Sequence, residues 1–365
     1  MRSEPYVLAT RSPFASPAGI PPRTGEREGA GQGRLRRWVS GVLLALLLCA
    51  PPAGDAGGAP LIHVTMLWVA VTGSQAVAWV AKEGGYFARN GVDVDLEYLA
   101  GSPTAAAALV SGRVQFVQMA GPAVVAADAR GAHLVMVMGF VNQPVFVLMT
   151  TPDVQRPDQL KGKTVAVSKV GSSDDFMLRE ALDHWGLRPG ADVKITGVGS
   201  VTAQIAALEQ HLVQGIVVDP PNDVLAQRAG AHLLARIADL GIPYQAAGLV
   251  TTREYIQGHR DVVVRVVRAM TEAIHRIKTD RPFAEEVMAR YLHKNDPVVV
   301  DASYEAFAPV FARVPAPSRA GLEEIAKEYV STGFLRGPMD VAAMLDTSFV
   351  QELDRSGFIR SLYTR

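Results

Sequence analysis

One stretch of this chain is written twice, about a hundred residues apart. Thr72-Gly73-Ser74 returns as Val170-Gly171-Ser172, and Gly101-Ser102-Pro103-Thr104-Ala105 returns as Gly199-Ser200-Val201-Thr202-Ala203. Val114-Gln115 returns as Val213-Gln214, and Arg130-Gly131-Ala132-His133-Leu134 returns loosely as Ala229-Gly230-Ala231-His232-Leu233. The offset drifts only from 98 to 99 residues. Ordered blocks at one offset predict two α/β lobes of similar design, and two lobes facing each other make a cleft. The repeated residues sit where strands hand over to helices. In open α/β sheets ligands bind beyond the carboxyl ends of the strands, where helix N-termini present free N–H groups.

From Leu61 onward apolar runs of strand length alternate with helical patterns. Ile62 to Val69 reads as a buried strand, Gln75 to Gly84 as a helix, and Val92 to Tyr98 as a strand with Val92, Val94 and Leu96 on one face. A helix from Pro103, a strand to Met119, a helix at Pro122 and strands His133 to Phe140 and Val145 to Thr150 follow. The polar run from Asp153 to Asp158 marks a crossing, after which the scheme repeats to a return strand at Gly248 to Thr251. Beyond Tyr255 the chain reads helical, with Val263, Val267, Met270, Ile274 and Ile277 on one stripe that should pack back on the first lobe. The expected division is a leader over 1–58, a first lobe over 59–150 and 249–365, and a second lobe over 151–248, with a hinge near Thr150 and Gly248.

Charge and cysteine narrow the function classes. Lys plus Arg and Asp plus Glu both number 36, so neither a nucleic-acid footprint nor a polybasic membrane patch is expected. The single cysteine, Cys49, lies in the leader, which removes disulfides, CxxC metal sites and cysteine nucleophiles from the fold that follows. Arg34, Arg36 and Arg37 precede the apolar run from Trp38 to Ala50, and a Pro/Gly/Ala-rich stretch runs on to Pro60. That is the pattern of an export signal cleaved between Ala50 and Ala59, and the run is short of the roughly 20 residues of a membrane span. Cys49 invites lipidation, but Leu48 is bulkier than the small residue expected before it. The expected place is the periplasm.

Gln75-Ala76-Val77-Ala78-Trp79-Val80-Ala81-Lys82-Glu83-Gly84-Gly85-Tyr86-Phe87-Ala88-Arg89-Asn90-Gly91-Val92-Asp93-Val94 resembles the opening of solute-binding proteins of the nitrate, sulfonate and taurine (SsuA/THI5-like) ABC importers. Ser111-Gly112-Arg113-Val114-Gln115-Phe116 is similar to a second family segment, with Gln115 where an acidic residue is usual, and Leu160 to Val167 is similar to the entry into the second lobe. The resemblance covers roughly residues 62–292. It implies a two-lobed periplasmic binding protein fold of type II, without cofactor or catalysis, acting as a monomer that captures a small, sulfonate- or carboxylate-like solute and presents it to the permease subunits in the membrane. The related fold also hosts thiamin-pyrimidine synthases and dehydratases, and ligand sensors share it. The absence of cysteine from the folded part argues against the synthases.

The candidate binding residues follow from the repeat. Thr72, Ser74, Gln75, Ser102, Thr104, Ser172, Ser173 and Ser200 stand beside helix starts, with Gly121 opening the Pro122 helix; their hydroxyls and the helix amides suit oxyanions, although each Ser or Thr also reads as a plain N-cap. Trp68 either walls the ligand or belongs to the core. Asn142 supplies an amide contact or a turn before Pro144. Asp219, ahead of Pro220-Pro221, either faces the cleft, where it would favour a cationic or hydroxylated ligand and repel a simple anion, or caps the next helix. Lys169 is the basic residue next to the second-lobe Gly-Ser-Ser turn and reads as solvated. The His residues lack metal-site spacing, and neither a GxSxG elbow nor a P-loop occurs.

Overall fold

A computed structural model describes residues 60–293 and 296–364; the leader with Cys49 lies outside the described residues. The chain runs β1 (Ile62–Trp68), α1 (Ala76–Glu83), α2 (Tyr86–Arg89), β2 (Val92–Tyr98), α3 (Ser102–Val110), β3 (Phe116–Met119), α4 (Gly121–Asp128), β4 (Leu134–Val141) and β5 (Val147–Thr150). It continues through β6 (Thr164–Val167), α5 (Ser173–His184), β7 (Lys194–Gly197), α6 (Val201–Glu209), β8 (Gly215–Val218), α7 (Asn222–Arg228), β9 (His232–Arg236) and β10 (Ala247–Thr252). Helices close the chain: α8 (Arg253–Gly258), α9 (Arg260–Thr279), α10 (Arg281–Leu292), α11 (Pro297–Phe307), α12 (Arg319–Ser331), α13 (Ser348–Arg355) and α14 (Phe358–Leu362).

The strands form two five-stranded sheets of the same topology, β2-β1-β3-β10-β4 and β7-β6-β8-β5-β9. In each, three strands run parallel and a fourth, arriving from the other half of the chain, inserts antiparallel beside them. The repeat extends to individual hydrogen bonds. Thr65 N–H donates to Gln115 Oε1 at 2.8 Å and Thr164 N–H to Gln214 Oε1 at 3.2 Å. Leu99 N–H donates to Trp68 O and Val198 N–H to Val167 O, both at 3.0 Å. Gly101 (φ 87°) and Gly199 (φ 90°) turn the chain into α3 and α6 through a left-handed conformation that costs glycine little.

The crossings fall earlier than the turn residues suggested. β5 pairs with β8 and β9, so Val147–Thr150 belongs to the second sheet, and β10 from Ala247 belongs to the first. The chain therefore passes between lobes at 142–146 and 241–246 instead of at Thr150 and Gly248. An apolar strand carries no mark of which sheet it joins, because pairing is decided by partners distant in sequence. Gln245, fully buried, ties the two passages together: Nε2 donates to Val141 O (3.2 Å) and Ala247 O (3.0 Å), while Oε1 accepts from Ser318 N–H (2.7 Å).

Alternating side chains build a layer on each face of the sheets. Val64, Met66 and Trp68 meet α1, α9 and α10 in one core; Leu67 and Val69 join α3, α4 and α12 in a second. The α9 stripe Val263, Val267, Met270, Ile274 and Ile277 is wholly buried in the first core, as its spacing predicts. The second core continues under Tyr244 into Val165, Val167 and Phe176 of the other lobe, so α12 spans the seam. A small third core of Ala166, Ile216, Val218, Leu208 and Ala226 covers the outer face of the second sheet.

Candidate functional site

In both lobes the parallel strands end at one sheet edge, so each edge gathers three loops: after β1, β2 and β3 in one, after β6, β7 and β8 in the other. The two edges touch. The Thr72 hydroxyl, four residues past β1, donates to Pro220 O, just past β8, at 3.1 Å across the seam. Gly73 lies under α11, where a Cβ would stand 2.4 Å from Ser303 Oγ and 2.5 Å from Phe307 Cδ2, so glycine is needed there for close approach. α11 also packs on α7 of the second lobe, and Arg228 pairs with Asp296 at its start.

The loops after β1 and β6 are braced alike. Val69 N–H donates to Gln75 Oε1 at 3.2 Å, and Ser168 N–H donates to Asp174 Oδ2 at 2.5 Å; both bonds reach six residues forward, at the repeat offset of 99. One brace is a neutral amide and the other a carboxylate. Asp174 also accepts from the Ser168 hydroxyl at 2.8 Å and lies against the Ser172 hydroxyl. Burial raises its pKa above the ordinary carboxylate value, opposed by those hydrogen bonds. Its neighbour Asp175 is satisfied otherwise, accepting from Gly171 N–H (2.7 Å) and Arg179 Nε (3.0 Å).

Asp219 stands at the same edge, because β6 and β8 pair in parallel with Ala166 opposite Ile216. Its Oδ1 accepts from Asn222 Nδ2 at 3.1 Å, and it lies beside Thr72 of the first lobe. Burial pushes its pKa up to about 6, with the Asp174 charge adding to the rise and the Thr72 and Asn222 contacts opposing it. The carboxylate does not cap α7 through a backbone N–H. Tyr244, from the second passage between lobes, is fully buried, with its hydroxyl beside the Ser173 side chain and Asp174 nearby. Its ring stacks on Phe176 at 5.4 Å, and Phe176 in turn meets Tyr329 of α12. Beyond that stack a cavity of about 280 Å³ opens between α5 and the end of α12, lined by Val170, Arg179, Glu328 and Phe334 among others.

Of the sequence-derived residues, Thr72 of the first lobe meets Asp219 and Pro220 of the second, Ser74 lies against Gln75 within the first lobe, and Ser172 lies against Asp174 within the second. Others go elsewhere. Trp68 is buried among Trp79 (5.1 Å), Tyr98 (4.4 Å) and Tyr291 (6.0 Å), a core cluster and not a wall for a ligand. Gly121 is packed under α12, its missing Cβ leaving room for Leu322 and Ile325. Asn142 donates from Nδ2 to Ala316 O at 2.8 Å and so serves the passage between lobes, although its buried Oδ1 has no partner. Ser200 is exposed and caps α6, accepting from Ala203 N–H at 3.3 Å. Ser102 is half-buried and Thr104 exposed at the start of α3; among the described residues neither hydrogen-bonds to the second lobe. Asp174, Tyr244 and Gln245 are absent from the sequence-derived set. Aligning Gln75 with Asp174 at offset 99 would have exposed the first; the other two lie outside the repeated blocks and carry no local signal.

Comparison with known proteins agrees with this geometry. The taurine-binding periplasmic protein of Escherichia coli is 27% identical over 219 residues, spanning 59% of this chain and 66% of that protein. The alkanesulfonate-binding protein SsuA of Xanthomonas axonopodis pv. citri, solved with MOPS, superposes with a TM-score of 0.68 at 19% identity, covering 80% of this chain and all of its own. The periplasmic nitrate-binding protein NrtA of Synechocystis superposes with a TM-score of 0.67 at 14% identity, over 81% of this chain and 89% of its own. These likenesses establish the two-lobed periplasmic binding protein fold, and among the described residues no helix is long and apolar enough to cross a membrane. The NMT1/THI5 like family model matches residues 74–281, which contain both passages between lobes, and the chain belongs to that family.

Proposed function

We propose that the chain is the extracytoplasmic solute-binding component of an ABC importer, a monomer that closes two lobes on one small organic solute and delivers it to permease subunits. The observation that carries this reading is the meeting of two duplicated sheet edges, joined through Thr72 of the first lobe and Pro220 of the second. The paired passages at 142–146 and 241–246 give the hinge such closure requires. A relative named for binding taurine, and neighbours named for binding alkanesulfonate and nitrate, support binding over turnover. Export by the segment from Arg34 to Ala50 would place the protein in the periplasm, soluble or tethered at Cys49.

The test is a thermal-shift and calorimetric screen of amino-sulfonates, sulfonates, carboxylates, nitrate and pyrimidines, with mass spectrometry of the solute recovered afterwards. A ligand of the folded state alone adds about 2.7 kcal/mol at a hundredfold excess over Kd. One-to-one binding with the solute returned unchanged is expected. Conversion of the solute would make the chain an enzyme on this fold.

A further inference from the structure

Resting on the binding reading above, we propose that Thr72 and the Arg228–Asp296 ion pair are a latch: they grip α7 at both ends, hold the lobes together on that side and slow the release of solute without having to touch it. α7 belongs to the second lobe, with Ala226 in the small third core. At its start the Thr72 hydroxyl, on a side chain buried at the seam, donates to Pro220 O at 3.1 Å and lies beside the Asp219 carboxyl. At its end Arg228 pairs with Asp296. The helix is 7 residues long, so the two grips stand about 10 Å apart.

Both grips come from one support. α11 carries Val300 and Phe307 into the core of the first lobe, and it covers Gly73, the residue after Thr72, so closely that a Cβ there would stand 2.5 Å from Phe307 Cδ2. Asp296 immediately precedes the same helix. Its Oδ1 accepts from Val298 N–H at 3.0 Å, which leaves Oδ2 to Arg228. The other side of the seam is joined differently: Phe176 of α5, Tyr244 and Tyr329 of α12 form one continuous apolar core. Parting that core would expose apolar surface to water, whereas a hydroxyl and a half-exposed ion pair exchange their partners for water at small cost. The lobes therefore part on the α7 side and stay joined along α12.

Three substitutions separate the parts of the latch. Asp296→Asn keeps an acceptor for the α11 cap and removes the charge, Arg228→Gln removes its partner, and Thr72→Val keeps the shape and loses the donor. Spin labels at Thr104→Cys and Thr202→Cys in a Cys49→Ser background read the ligand-free cleft of the full chain, and stopped-flow mixing reads the release of 2-aminoethanesulfonate. Each variant should lengthen the label distance and speed release, about two- to fivefold for either member of the pair and up to about tenfold for Thr72→Val, with the association rate held. The double variant Arg228→Gln with Asp296→Asn should do no more than either single one, and salt at about 1 M should reproduce its effect in the parent chain. A merely structural role would lower the melting temperature and leave release alone. Unchanged label distances, or pair effects that add, would overturn the latch and leave the binding function standing. Should 2-aminoethanesulfonate and every other screened solute fail to bind, the binding reading falls and the label distances still decide the latch.

Discussion

The two lobes are the same device built with different charges. The loop after β1 is braced by Gln75 and the loop after β6 by Asp174, through equivalent backbone N–H groups. Past β3 the first lobe places Ala120, whereas past β8 the second places Asp219. The support differs too: α1, α9 and α10 bury the outer face of the first sheet in a large core, while the second sheet has only the small cluster around Ile216. Repetition gives both lobes the same scaffold and facing edges, and the two edges differ in charge at these positions.

The sharpest way to break this comparison is to place the same substitution in both copies. Gly73→Ala should cost about 3 kcal/mol in chemical denaturation, because the new methyl meets Ser303 and Phe307 in a packed seam. Its counterpart Gly171 has φ +86° and open space at its Cβ position, so Gly171→Ala should cost only about 1 kcal/mol of backbone strain. Equal costs would mean that the seam is looser than described. Next in size, Gln75→Ala orphans Val69 N–H and should lose about 2 kcal/mol at every pH from acid to neutral. A loss that changes with pH would show that the two braces do not differ in kind.

Asp219 sharpens the contrast further. Its folded pKa, about 6, lies above the ordinary 3.8, so its stabilising contribution is complete below about 3.8 and is lost as pH rises through about 6. The groups facing it are Asp174 on its own lobe, Asn222 of α7 and Thr72 across the seam. Asp219→Asn in the ligand-free protein should therefore raise the melting temperature at pH 7.5, by on the order of 1 kcal/mol after discounting its partial exposure, and leave it unchanged near pH 3.5. A pH-independent effect would place the carboxyl in solvent. Smallest of all, Ser200→Ala should cost roughly 0.5–1 kcal/mol as a lost helix cap and leave solute affinity untouched.

Much of this architecture is legible in the residues, and the failures share a cause. The alternation of strands and helices, the repeat and the α9 stripe all express local periodicity or local turn chemistry. What could not be read depends on distant partners. Val147–Thr150 looks like any buried strand, and only its pairing with β8 and β9 assigns it to the second sheet. Asp174 reads as an acid in the first turn of a helix, where the macrodipole alone would justify it; its role as the brace on Ser168 appears once the loop is folded. Trp68 ends a strand at the binding edge yet turns to the face where Trp79 and Tyr291 wait. Gln245 is a glutamine in a passage without pattern, and its hydrogen bonds reach Val141, 104 residues earlier, and Ser318, 73 residues later.

Closure of the second lobe on the first is tested most directly by a distance across the cleft. Thr104 and Thr202 are exposed at the two facing edges, and Cys49 is the chain's one cysteine, so spin labels at Thr104→Cys and Thr202→Cys in a Cys49→Ser background report that distance alone. Double electron–electron resonance on the full chain with and without 2-aminoethanesulfonate, or whichever screened solute binds, should show the distribution shorten and narrow on binding. An unchanged distribution under saturating solute would contradict an account in which two duplicated lobes close on their ligand.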